Sequence, residues 1–377
     1  MLNYLPELDY NLETAIFFLF CGLSLVQFLF VAIVYGRLAF HRIKNKEDNK
    51  DGVSIIIAAR NESENIFKFL PFILEQDYPL FEVIVINHQS TDDSKYILEA
   101  YQRQYPHLKV IAIEKSPHLK YGKKLPITVG VKGAKYEQLL LTDADCKPTS
   151  NQWLKSMVSH FSKKQEIVLG YGPYSVKKGW VNKIIRFDTA WIAINYLSFA
   201  KAKMPYMGIG RNLAYTKSVF ERVEGFKSHY SISSGDDDLF IQEAAKKNNY
   251  TINVDPQAYC YSEPPETWKD WMNQKSRHFT TAPKYKVIKR LMLGIYPLSL
   301  LLMLGTFVTL LLNSNFIWLT LVIFVFVLLF KWLILGLSLR KLNETKFIAL
   351  VPLLDIGYAI LAPAMYYLIE RKDEKKW

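Results

Sequence analysis

Long and short apolar runs separate this chain into two kinds of structure. Ala15–Tyr35 is almost free of charge for about 20 residues, enough to cross a bilayer core of roughly 30 Å as a helix. Leu291–Leu312 and Phe316–Leu339 are two more such runs, joined at Asn313-Ser314-Asn315, and Phe347–Ile369 is long enough to be a fourth. Between the first and second, the apolar runs are short. Val53–Ala58, Phe81–Ile86, Lys109–Ile113 and Leu139–Leu141 read as buried strands, each ending in a polar cluster. Helical stretches follow through Phe67 and Leu70, up to about Arg103, and over Leu125–Ala134. This alternation predicts an α/β fold with a doubly wound, mostly parallel sheet, its site outside the carboxyl ends of the strands.

The pattern divides the chain into an external N-terminus (1–14), a first span (15–36), a basic linker (37–51), a globular domain (52–286), a C-terminal transmembrane region (287–370, with spans near 291–312, 316–339 and 347–369) and a charged tail (371–377). Acidic Glu7, Asp9 and Glu13 precede the first span, and Arg37, His41, Arg42, Lys44 and Lys46 follow it. A cleavable signal peptide has the reverse polarity, so the segment reads as a retained anchor with the globular domain in the cytoplasm. The Arg340-Lys341 to Lys346 loop fits the same side. Four full spans would leave the basic tail outside, against the charge rule; a re-entrant last segment, broken at Pro352 or Pro363, would resolve this. Two or three C-terminal spans therefore both stand. Lys331 and Asp355 fall at similar depth and could pair, or Lys331 could snorkel to the interface. Phe187–Ala200 reads either as an interfacial amphipathic helix or as a core helix.

Composition changes this picture little. The net charge of +12 comes with basic residues flanking the spans, where anionic head groups attract them, and no basic-aromatic groove argues for nucleic acid. Cys21, Cys146 and Cys260 have no Cys-x-x-Cys spacing, so free thiols are expected and zinc is not. Neither a G-x-G-x-x-G after the first strand nor a P-loop is present, which disfavours a dinucleotide oxidoreductase and a P-loop ATPase. The spans lack repeat symmetry, which disfavours a transporter.

The densest chemistry lies in Leu139-Leu140-Leu141-Thr142-Asp143-Ala144-Asp145, where two carboxylates one residue apart end an apolar strand. They make a hard-oxygen site for a divalent cation, which would hold a diphosphate. Other clusters stand at strand ends: Ala59-Arg60-Asn61-Glu62, with Asn61 or Ser63 able to cap a helix, and Asn87-His88-Gln89-Ser90-Thr91-Asp92. Further along come Lys120-Tyr121-Gly122-Lys123-Lys124, then Met207-Gly208-Ile209-Gly210-Arg211-Asn212, whose glycines would let backbone approach a ligand. Ser234-Gly235-Asp236-Asp237-Asp238 and the aromatic-rich Trp268–Phe279 complete the set.

In this order, the motifs resemble those of membrane-embedded family 2 glycosyltransferases, such as cellulose, hyaluronan and poly-N-acetylglucosamine synthases and ceramide glucosyltransferases. The resemblance covers most of residues 53–280 and implies a GT-A-like, Rossmann-like sheet and Mg²⁺ or Mn²⁺ as cofactor. It implies Asp145 as metal ligand, with Asp143 sharing the cation or nearer the ribose. Ala59, Arg60, Glu62, Asn87, Asp92 and Lys123 would bind the nucleotide sugar. Asn87 stands where the family usually has Asp, and its neutral oxygen could still accept a uracil N–H. Asp236 matches the family's general base, with Gly235 in place of the usual Glu and Asp237 as the alternative base; Asp236–Asp238 could instead only cap the next helix. Gln274 and Arg277 match the Gln-x-x-Arg-Trp motif, with His278 replacing the Trp, and would act with Gly210 and Asn212 on the acceptor and diphosphate.

The implied function is inverting transfer of a sugar, most simply from a UDP-sugar, to a lipid or membrane-proximal glycan acceptor by an inner-membrane enzyme. Its partners would be donor, acceptor and membrane lipids. Single transfer to a lipid competes with processive polysaccharide synthesis. A non-catalytic nucleotide-sugar-binding regulator or scaffold is the alternative of another class.

Overall fold

The computed structural model describes residues 12–43, 49–116, 122–232, 234–246, 248–312 and 314–369. Most of the expected N-terminal segment, Lys44 and Lys46 of the linker, Lys120 and Tyr121 of the basic loop, Asn313 and the charged tail lie outside the described residues. The rest divides into two compact units, residues 42–285 and residues 12–41 with 286–369.

The first unit is built on β1 (Val53–Ala59), β2 (Phe81–His88), β3 (Leu108–Ile113) and β4 (Gln138–Asp143). Every residue of β1 is buried, as expected of a parallel strand covered on both faces. β5 (Cys146–Pro148), β6 (Ile167–Leu169), β7 (Leu213–Thr216), β8 (Tyr250–Ile252) and β9 (Cys260–Ser262) are shorter. The seven-stranded sheet runs β3-β2-β1-β4-β7-β6-β8. β1 pairs in parallel with β2 and β4, β2 with β3, and β6 with β8; β7 is antiparallel to β4 and β6. Strand order reverses between β1 and β4, so their carboxyl ends flank a crevice where open α/β sheets bind ligands. A second, two-stranded sheet pairs β5 with β9, setting Ser262 opposite Cys146.

The helix Trp180–Lys201 is a core helix: Ile185, Ala190, Ile194, Tyr196 and Leu197 are wholly enclosed. The interfacial reading of Phe187–Ala200 therefore gives way, because these side chains face protein on nearly every turn.

The second unit holds four helices long and apolar enough to cross a membrane: Leu12–Ala39, Val287–Leu312, Ile317–Lys341 and Thr345–Leu368. The last continues in helix through Pro363 without a break, and Pro352 sits in the first turn of Val351–Leu368, where a missing N–H costs nothing. Lys331 and Asp355 form an ion pair of 2.6 Å with both side chains buried. Gln27, Tyr296 and Ser299 complete their hydrogen bonding.

Candidate active site

The loops after β1 and β2 are laced together. Ser90 Oγ accepts from Asn61 N, Asn61 Oδ1 from Thr91 N, and Ser94 Oγ from Glu62 N. Asp92 divides its carboxylate between Ser63 N (2.9 Å) and Ser94 N (3.2 Å), starting the helices Ser63–Leu74 and Ser94–Gln104. Burial alone would raise its pKa, but these hydrogen bonds bring it below the usual aspartate value. Asp92 thus uses both carboxylate oxygens as helix caps, and Ala59 is fully buried at the end of β1. The helix cap expected of Asn61 or Ser63 comes from Asp92 across the loop.

Asn87 and His88 end β2 in buried positions, followed by buried Gln89 at φ +56°. Asn87 Oδ1 is enclosed without a donor among the described residues. His88 is pushed down to about 4, first by burial and then by Arg60, so its imidazole is neutral. Arg60 and Glu62 line an open cleft of about 640 Å³ with Asn65, Asp145, Gln274 and Arg277. Burial first, then Asp145 and Asp143, raise the Glu62 carboxyl, against the hydrogen bond from Asn65.

At the end of β4, Lys123 Nζ lies 2.5 Å from Asp143 Oδ1. Burial disfavours the Lys123 charge, yet Asp143, Asp236 and Asp145 together hold its pKa above the ordinary lysine value. Asp145 accepts from Ser262 Oγ (2.7 Å) and Cys146 Sγ (3.3 Å). Its pKa is raised by burial and then by Asp143, with Ser262, Lys123 and Cys146 opposing. Ligand atoms of Asp143, Asp145 and Cys146 lie within 4.8 Å of one another, so one cation could reach both carboxylates. The donor set fits a hard divalent ion, with Lys123 as a nearby charge that would meet phosphate oxygens.

The three successive carboxylates differ in use. Asp237 accepts from Asp238 N (2.7 Å) and Gly210 N (2.9 Å), capping Asp238–Ala244. Asp238 is buried and accepts from Leu239 N, Thr281 Oγ1 (2.5 Å) and Tyr285 OH (2.7 Å). Asp236 makes no hydrogen bond to another described residue and faces the cavity. Burial first, then Asp236 and Asp238, push Asp237 up to about 8, and burial also raises Asp238. Capping is thus real for Asp237, and Asp236 is left available.

The helix Trp268–Phe279 starts at Thr267, whose hydroxyl accepts from Asp270 N. One face presents Gln274, Arg277 and His278 to a half-open cavity of about 340 Å³, also lined by Lys123, Asp143, Arg211 and Asp236. Lys275, which also lines this cavity, forms a buried ion pair with Asp188 of Trp180–Lys201, at 2.5 Å. His278 stays accessible to the cavity. Desolvation by the surrounding protein, and then Arg277, Lys275, Arg211 and Lys123, hold its imidazole well below the ordinary value. Gly210 lies beside Asp236 and Asp237 as the motif implies.

Asn212 is not among the residues that line the cavity. It is wholly buried, its amide donating to Tyr171 O and Ala258 O and accepting from Trp153 Nε1, so it builds the wall and does not touch the cavity. Its neighbour Arg211, quoted in the glycine motif but given no role there, lines the cavity with Tyr174. A lone Arg beside glycines carries no spacing signal; the fold alone brings it to the site.

Comparison with known proteins agrees with this geometry. The family model described as glycosyl transferase family 2 matches residues 54–223, and that described as glycosyl transferase family group 2 matches residues 140–360. The chain is 26% identical over 246 residues to the probable glycosyltransferase YdaM of Bacillus subtilis, covering 63% of this chain and 56% of that protein. It is 24% identical over 238 residues to a poly-beta-1,6-N-acetyl-D-glucosamine synthase of Staphylococcus epidermidis, covering 60% and 54%. The chain thus spans just over half the length of these curated relatives. In fold it is similar to mannosyltransferase PcManGT from Pyrobaculum calidifontis, solved with GDP-Man and Mn2+, at a TM-score of 0.55 and 18% identity over 94% of this chain and 99% of that one. With these matches and a GT-A-like sheet, the chain belongs to glycosyl transferase family 2.

Proposed function

We propose that this protein transfers a sugar, with inversion, from a UDP-sugar to a lipid or membrane-proximal glycan acceptor. The sheet unit would lie on the cytoplasmic side of the cell membrane that the four apolar helices span. One observation carries the reading. A carboxylate with no hydrogen-bond donor among the described residues, Asp236, shares one cavity with Lys123, Asp143 and Arg277, as deprotonating an acceptor beside a departing diphosphate requires. The acceptor hydroxyl gives its proton to Asp236 as its oxygen bonds to the anomeric carbon. The bond from that carbon to the diphosphate breaks, and the diphosphate leaves with the electron pair. Lys123 and the Arg277 fork meet the charge that develops there. Asp143 and Asp145 would hold Mg²⁺ or Mn²⁺, which when bound acts as a Lewis acid on the diphosphate. Gln274 and the neutral His278 face the acceptor side.

The test is a panel of UDP- and GDP-sugars incubated with membranes containing the full chain and Mn²⁺, with Asp145→Asn as the blank. Metal-dependent nucleotide release with sugar transfer is expected, strongest with a UDP-sugar. Product length then separates single transfer from polymer synthesis. No nucleotide release from any donor, together with an Asp236→Asn chain that behaves as wild type in cells, would leave only the binding-scaffold function.

A further inference from the structure

We propose that Tyr174 is a positioning residue that ties the Gln274–Arg277 helix to the Asp145 carboxylate, with Arg211 as the support that fixes it. The inference rests on the transfer reading above and adds two residues to which the motifs give no role.

Tyr174 is 5% exposed and makes three kinds of contact. Its hydroxyl lies 2.9 Å from Gln274 Nε2 and 3.2 Å from Gln274 Oε1, so it meets the amide whichever way the amide is turned. Among the described residues Gln274 has no other side-chain hydrogen-bond partner. The Tyr174 ring lies under the Arg211 guanidinium, 4.4 Å from its Cζ. Its backbone bridges Ser262, whose N donates to Pro173 O and whose O accepts from Ser175 N, both at 3.0 Å. Ser262 in turn donates to Asp145 Oδ2. One side chain and its own peptide units thus connect the cation-site carboxylate to the helix that carries Arg277.

Arg211 is held so that the ring cannot turn away. Its Nε and Nη2 both donate to Gly172 O, at 2.8 and 2.5 Å. A Cβ at position 172 would fall 2.6 Å from Arg211 Nε, so only glycine admits the guanidinium here. The Gly172 carbonyl, the Arg211 guanidinium and the Tyr174 ring lie against one another, and the Tyr174 hydroxyl reaches Gln274. A group that merely filled the core would not need its polar tip aimed at a motif side chain.

Tyr174→Phe removes one oxygen and keeps the ring under Arg211, so it isolates the tether with little risk to folding. In hydrogen exchange on the full chain, amides of Trp268–Phe279 should exchange about fivefold faster in Tyr174→Phe, the effect of losing one hydrogen bond, with those of β1 unchanged. In turnover with the preferred donor, kcat should fall about five- to tenfold with the donor KM within about twofold. Gln274→Ala should fall comparably, and the double variant no further. Unchanged exchange in that helix, additive losses in the double variant, or a change confined to KM would each overturn the tether. If wild-type turnover equals that of Asp145→Asn, the transfer reading fails instead, while the exchange measurement still decides the role of Tyr174.

Discussion

Two buried charge clusters, one in each unit, use similar residues to opposite ends. Among the apolar helices, Lys331 Nζ meets Asp355 Oδ2 at 2.6 Å and Gln27 Oε1 at 3.0 Å. Tyr296 OH donates to the other Asp355 oxygen at 2.7 Å, and Gln27 Nε2 donates to Tyr296 O and Ser299 Oγ. Each charge is paired, each carboxylate oxygen has a donor, and residues from all four helices contribute. In the sheet unit, Asp143, Asp145, Asp236, Asp237 and Asp238 crowd near Lys123, and Asp236 has no hydrogen-bond donor among the described residues. A satisfied network fixes a packing arrangement; an unsatisfied one holds unspent affinity for a cation, a proton or a substrate. Fractional burial alone would not tell them apart, since Asp355 and Asp238 are both nearly enclosed.

The comparison breaks most visibly at Asp236. Asp236→Asn keeps the shape and removes the proton acceptor, so turnover should fall about 10²- to 10⁴-fold while the thermal midpoint and nucleoside diphosphate affinity stay near wild type. A loss of turnover matched by a loss of fold would put Asp236 with the structural charges. In the helix bundle the expectation inverts. Asp355→Asn strands Lys331 and should cost about 3–5 kcal/mol of stability in detergent. Adding Lys331→Met should restore part of that loss, and simple additivity of the two changes would sink the idea of a coupled pair.

A subtler difference appears with pH. Asp237 sits near 8 in the folded chain and near 4 when unfolded, so the native state binds the extra proton between those values. Stability should therefore decline as pH rises from about 4 toward 8, being fully retained below the unfolded value. Asp237→Asn mimics the protonated form, so its midpoint should gain on wild type across that window when metal is chelated, and the two should converge below about pH 4. Parallel curves would mean that Asp237 is already ionised at neutral pH.

How much of this could be read beforehand follows from what local sequence encodes. β1, β2 and β4 are continuous apolar runs, so burial on both faces announced them, and the Asp143 and Asp145 pair fell at a strand end by simple counting. β5, β6, β8 and β9 are three residues each and have no periodicity to detect. The antiparallel β7 between β4 and β6 is a matter of topology that spacing does not carry. The hydrogen bonds that the sequence could not show are those of polar groups whose partners are remote in sequence. Asp92 is spent on the Ser63 amide, and Asn212 on Trp153, Tyr171 and Ala258. The roles of Arg211 and Tyr174 were illegible for the same reason, since they arise only where Arg211 meets the Gly172 carbonyl and the Tyr174 ring.

Gln89 offers the smallest effect and tests the same distinction inside the nucleotide loop. The backbone at Gln89 keeps φ +56°, which costs a residue with a Cβ about 1–2 kcal/mol. Gln89 also buries an amide Nε2 that finds no acceptor among the described residues. Gln89→Gly relieves both penalties, while the freer unfolded chain takes back about 0.5–1 kcal/mol and the lost side chain leaves a small void. The balance predicts a gain of at most about 1 kcal/mol in thermal unfolding, from a substitution that deletes a buried side chain. A clear loss would show that the Gln89 amide is satisfied in solution and belongs with the settled charges of Lys331 and Asp355. A gain accompanied by weaker UDP binding would place it with Asp236, among groups that the fold leaves unpaired because a substrate pairs them.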